Sequence, residues 1–249
     1  MKLEYVPLLQ VQRDLYAMPR GMERFRAYLR TMLDPSGRDL RLPLAAMNPM
    51  GKEHCPALLD AYLALDADAA AAEAVAEAAA QLGDIPAEYR VALVLVDYLK
   101  GGWTNRYACE YSHRFEGEPL TRRGWLTGVL WTSEPASPEA VREAVLTAVH
   151  RAAHVRTHSP ARTLRERLAQ EGRVLMRAGC VRPALDADDR EYTRAVLAPH
   201  LEARDMRTAI ECLFGDAAAR TLGFTPQGLS AWAGLALALH DARAAAAAL

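Results

Sequence analysis

The sequence lacks any run of about 20 apolar residues of the kind a membrane-crossing helix needs, because its alanine-rich segments are broken by Asp and Glu. Its opening residues, MKLEYVPLLQVQRDLY, hold no apolar stretch long enough for a secretory signal. Without a secretion route the four scattered cysteines, Cys55, Cys109, Cys180 and Cys212, should stay reduced. A soluble, cytoplasmic chain is therefore expected, with no membrane partner. Several catalytic signatures are also missing. There is no G-x-x-x-x-G-K-[ST], no G-x-G-x-x-G, no H-E-x-x-H and no G-x-S-x-G. No repeat of 20–50 residues is visible, and no Pro/Gly/Ser-rich linker divides the 249 residues, so one domain spanning 1–249 is expected. No motif specifies a cofactor.

Excess charge of one sign is lacking as well: a net charge of -1 gives no bulk attraction to nucleic acid or acidic membranes. The charges are unevenly placed, however. Lys52 to Asp97 holds two bases against nine carboxylates, whereas Lys100 to Arg173 holds twelve against eight. The second region could therefore orient a small anion. Arg122 and Arg123 beside Trp125, with Arg106 and Arg114, form a modest basic cluster. The Arg-rich segment 162–178 is interleaved with Glu166 and Glu171, as in a solvated face, so nucleic acid is disfavoured as a partner. Arginine far exceeds lysine and alanine is abundant, a codon signature of a GC-rich bacterial genome rather than chemistry.

What is present is mostly helical. Residues 5–17 and 20–33 carry amphipathic spacing, the second through Met22, Phe25, Leu29 and Met32. Residues 56–65 and 67–82 are rich in Ala, Leu and Glu and end at Gly83. Residues 84–100 admit two readings: Pro86 and Lys100-Gly101 resemble helix ends, while Val91, Val94 and Val96 in an apolar run suit a buried strand. Length and caps favour the helix. Thr104 caps a short helix with Tyr107, Tyr111 and Phe115 on one stripe. GWLTGVLWT (124–132) reads as a strand, and Ser137-Pro138-Glu139 starts a helix reaching about residue 156. Further helices are expected near 162–178, 188–203, 205–214 and 226–247, with a frayed alanine tail over 244–249. The expected fold is mainly α: a compact multi-helix single domain with one or two short strands near 91–97 and 125–132.

The least generic segment is Lys100-Gly101-Gly102-Trp103-Thr104-Asn105-Arg106, continuing through Glu110 to His113. Two glycines allow close backbone approach before a helix N-terminus, where free N–H groups favour an anion. Lys100 and Arg106 supply charge, Thr104 and Asn105 hydrogen bonds, and Trp103 an apolar wall. His113, positioned by Glu110, would serve as acid or base. A lone Glu110-x-x-His113 does not make a di-iron site, because no second E-x-x-H occurs. His150 and His154 in HRAAH stand four apart, a spacing that can chelate zinc, iron or nickel. They share a face with Glu139 and Glu143, opposite Val141 and Val145, where such a stripe is otherwise solvated. Cys55 beside His54 at a helix start could be a low-pKa thiolate, although cysteine is more often a small buried residue. The C-x-x-C redox motif of alkylhydroperoxidase-like helical proteins is not met, since Leu58 stands in the place of the resolving cysteine. These residues point to a small-molecule enzyme or binding protein for an anionic ligand. In the alternative, a non-catalytic helical scaffold or partner-binding protein, the same residues only pack and cap.

Overall fold

A strand buried on both faces shows no period-two alternation, and Val91–Val96 is such a strand. The helix expected over 84–100 is thus corrected. A computed structural model of the chain describes residues 1–102 and 104–248. In chain order its elements are β1 (Lys2–Tyr5), α1 (Leu9–Ala17), α2 (Met22–Met32), α3 (His54–Ala64), α4 (Ala67–Gln81), β2 (Glu88–Val96), α5 (Arg106–Phe115), α6 (Glu118–Thr121), β3 (Trp125–Trp131), α7 (Pro138–Thr157), α8 (Leu164–Arg177), α9 (Ala187–Leu197), α10 (Met206–Phe214), α11 (Asp216–Thr221) and α12 (Ala233–Ala247). The fold is mainly α, and none of the described helices is long and apolar enough to cross a membrane.

Contacts group the described residues into two compact units. The first comprises Met1–Arg106 and Glu118–Ala153. Its three strands are parallel in the order β1-β2-β3, with Lys2–Tyr5 paired to Glu88–Val91 and Arg90–Val96 paired to Trp125–Trp131. Tyr5, expected in a helix, belongs to β1, and the helix starts only at Leu9. β1 is short, so beyond Val91 one edge of β2 has no strand beside it. Gln12 of α1, fully buried, fills the gap: its Nε2 donates to Leu93 O (3.0 Å) and its Oε1 accepts from Leu95 N (2.9 Å). The side chain thereby satisfies backbone groups that burial would otherwise leave unpaired. Helices α1 and α4 pack on the sheet and α3 packs on α1. Ser137 Oγ accepts from Ala140 N (3.1 Å), the expected cap of α7.

The second unit holds Tyr107–Gly117 and the chain from His154 onward. Helices α8 and α12 pack against each other, and α8 opens on a capping box in which Thr163 and Glu166 bond reciprocally. The expected stripe on α5 is partly buried: Tyr107 lies against Phe214 and Trp232, and Tyr111 against Phe115. Helix α12 begins at Ala233, later than expected. The preceding loop is organised by the Asp216 carboxylate, which accepts from the N–H groups of Gln227 (2.9 Å), Gly228 (3.2 Å) and Leu229 (3.0 Å).

Candidate functional site

Parallel strands bring their carboxyl ends to one edge of the sheet, where ligands of open α/β sheets are usually held. β2 ends at Val96 and β3 at Trp131, so the next residues, Asp97 and Thr132, meet there. The Asp97 carboxylate is buried. Its Oδ1 accepts from His54 Nε2 (2.8 Å), Thr132 Oγ1 (2.9 Å) and Leu99 N (3.0 Å), and its Oδ2 from Asn48 Nδ2 (3.1 Å). Burial pushes this carboxyl upward, but the donors from His54, Thr132 and Asn48 outweigh it and hold the group below its usual range.

His54 opens α3, and the next residue, Cys55, is fully buried with Sγ 3.5 Å from His54 Nε2. Burial first, then the charge of Asp97, pushes the Cys55 thiol up to about 12. Cys55 is thus the small buried residue and not the low-pKa thiolate: a helix start does not offset desolvation beside a carboxylate. Tyr16 donates its hydroxyl to Asn48 O (2.6 Å), and the buried Arg24 guanidinium donates to Met18 O and Tyr16 O, closing the loop that precedes α3. Gly51 sits so close that a Cβ there would lie 2.5 Å from Cys55 Sγ and 3.0 Å from Tyr16 Oη. At the Asp97 end, Lys100 and Gly101 turn with positive φ (50° and 88°), and a Cβ on Gly102 would meet Asp97 O at 2.6 Å. Thr104 Oγ1 donates to the same carbonyl (2.5 Å).

A cavity of about 420 Å³ opens here. Its cations are Arg20, Lys52 and Lys100, its one lining carboxylate is Asp97, and Gly21, Gly51, Gly101 and Gly102 let the backbone form part of its wall. Among the described residues none of the three cations is in an ion pair. The first turns of α2 and α3 start beside it, and neither N-cap, Gly21 or Glu53, makes a side-chain cap.

Of the residues singled out from sequence, Lys100, Gly101 and Gly102 line this cavity, and Thr104 buttresses it. Trp103 lies outside the described residues. Asn105 is half-buried just before α5. Arg106 does not line the cavity: its guanidinium donates to Ser133 Oγ (2.8 Å), pairs with Glu134 and sits over the Tyr98 and Trp131 rings. Glu110 and His113 belong to the second unit. There Glu110 is buried and pairs with Arg114 (2.9 Å), which also pairs with the buried Glu171. His150 and His154 both lie in α7; His150 is buried, and the His154 ring stacks on His158 with centroids 4.2 Å apart.

Sequence reasoning did not identify Asn48, Asp97, Thr132, Tyr16, Arg20 and Arg24 as part of this site. Two signals were available. The run Met47-Asn48-Pro49-Met50-Gly51-Lys52-Glu53-His54-Cys55 concentrates polar and small residues, and Asp97 directly ends an apolar run. His54, Cys55 and Asp97 each offer a donor atom, all within 4.8 Å of one another, and among the described residues no other such group of three or more occurs. Comparison with known protein families, with curated proteins and with solved structures finds no match to this chain.

Proposed function

We propose that the chain binds a small anionic molecule, such as a phosphate or carboxylate compound, in the cavity at the carboxyl ends of β2 and β3, with the Asp97–His54 pair available to handle a proton of the ligand. The observation that carries this reading is the convergence of Arg20, Lys52 and Lys100, with no counter-ion among the described residues, on one concavity. Lysine is scarce, with Lys2, Lys52 and Lys100 the complete set, and two of these three stand at the cavity. The uncapped starts of α2 and α3 add the positive ends of two helix dipoles, and α2 adds the N–H groups of its first turn. Asp97 sets one negative charge in the wall against three positive ones, so the balance at the cavity still favours an anion.

Thermal-shift titration with inorganic phosphate at constant ionic strength tests the reading. The wild type should be stabilised by about 2.7 kcal/mol when phosphate reaches a hundred times its dissociation constant. The Lys52→Gln/Lys100→Gln variant should lose most of that response. Arg106→Gln should keep it, since Arg106 is committed to Ser133 and Glu134. No response in the wild type, or equal responses in the wild type and the double lysine variant, favours the non-catalytic scaffold instead.

A further inference from the structure

We infer that His54, Cys55 and Asp97 form a binding site for one divalent metal ion of the zinc class, held through the imidazole Nε2, the Sγ and one carboxylate oxygen. This inference stands apart from the cationic lining that carries the anion reading, although Asp97 and His54 are common to both and a bound ion takes the place of the proton they share.

The donor set argues for such an ion. One nitrogen, one sulfur and one oxygen suit a borderline-soft cation that accepts four tetrahedral ligands, whereas calcium and magnesium demand oxygens. The spacing agrees. Zinc bonds of roughly 2.0–2.3 Å at tetrahedral angles set neighbouring donor atoms about 3.3–3.6 Å apart. Sγ and Nε2 lie 3.5 Å apart, and Nε2 and Oδ1 lie 2.8 Å apart. An ion replacing the proton between Nε2 and Oδ1 requires those two atoms to part by about half an ångström, a side-chain adjustment. Three donors leave a fourth position for water or a ligand atom, and Asp97 is also a wall residue of the cavity.

The surroundings are those of a metal ligand shell. Thr132 Oγ1, Leu99 N and Asn48 Nδ2 fix the orientation of the Asp97 carboxylate, as outer partners fix ligating carboxylates elsewhere. Cys55 is wholly buried, and the absence of a side chain at Gly51 leaves its Sγ room. His150 and His154 offer no comparable site, because no third donor joins them among the described residues.

The test is metal titration of the full chain after chelator treatment, in phosphate-free buffer. One equivalent of Co²⁺ should bind, giving tetrahedral visible absorption and a thiolate-to-cobalt charge-transfer band. Cys55→Ser should lose that band while Cys212→Ser keeps it. Thr132→Val should bind Zn²⁺ about 10–100-fold more weakly than the wild type. The site is overturned if the folded wild type takes up no stoichiometric Co²⁺, or if the band persists in Cys55→Ser. Should Cys55→Ser fail to fold, X-ray absorption of the zinc-loaded wild type decides. One sulfur in a nitrogen/oxygen shell supports the site, and any other sulfur count overturns it. Because the readout is the metal's own spectrum, its failure is independent of the phosphate result.

Discussion

The Gln12 side chain stands in for a missing strand residue against Leu95: its Oε1 accepts from Leu95 N at 2.9 Å while its Nε2 donates to Leu93 O at 3.0 Å. Both backbone groups are buried where β1 has already ended. Gln12→Leu keeps the size of the side chain but leaves an N–H and a carbonyl unpaired, each costing about 1–3 kcal/mol. A loss of several kcal/mol in denaturant unfolding is expected. An unchanged midpoint would show that the amide does not complete the sheet edge.

The same edge explains what the sequence made legible. Helices α2, α3, α4 and α7 were readable because their apolar spacing and end residues agree, as at Ser137-Pro138. β2 was misread because Val91–Val96 is buried on both faces and carries no alternation, so Pro86 and Lys100-Gly101 could pass for helix ends. That error hid Asp97. Once the run is a parallel strand, a carboxylate at its carboxyl end becomes a site residue on topological grounds alone. The Lys100–Gly102 turn was recognisable from its glycines. Its partners Asn48, His54 and Thr132 lie 49, 43 and 35 residues from Asp97 in the chain, and no local pattern joins them.

Arg114 is the next residue whose removal has a defined consequence. It lies between Glu110 and Glu171, the latter fully buried. Breaking one partner of a buried ion group leaves uncompensated charge, at a cost of about 3–5 kcal/mol. Arg114→Met is expected to destabilise by about that amount. The triple change Arg114→Met/Glu110→Leu/Glu171→Leu should recover most of the loss. Failure of the triple variant to regain stability in urea unfolding would mean that the network matters for more than mutual neutralisation.

The His154 ring offers a pH dependence with a definite sign. Burial first, then the positive charge of His158 and Arg173, pushes its pKa from 6.5 down to about 4. As pH falls below 6.5, the unfolded chain takes up a proton at this ring and the folded chain does not. Stability is therefore full above that pH and declines until about 4, where both states are protonated. The ring is partly screened by solvent, so the contribution is about 1–2 kcal/mol. Urea midpoints measured between those limits should fall less steeply for His154→Gln than for the wild type. Parallel slopes would remove this ring as a source of acid sensitivity.

Cys55 and Gly51 allow the packing of the candidate site to be read chemically. Cys55 is wholly buried and its thiol is held protonated, so alkylation of the native protein at neutral pH should be slow and gated by local opening. Gly51→Ala would place a methyl carbon 2.5 Å from Cys55 Sγ and 3.0 Å from Tyr16 Oη, so the 47–52 loop has to lift. Faster iodoacetamide labelling of Cys55 is expected in that variant. Cys212 is an internal reference, because it is equally buried in the second unit and burial pushes its thiol up to about 12 as well. If lifting is local, Cys55 labelling accelerates while Cys212 labelling keeps its wild-type rate. If both accelerate together, the substitution has loosened the whole fold. If neither does, the loop adapts to the methyl group and the contact at Gly51 is not the constraint that seals Cys55.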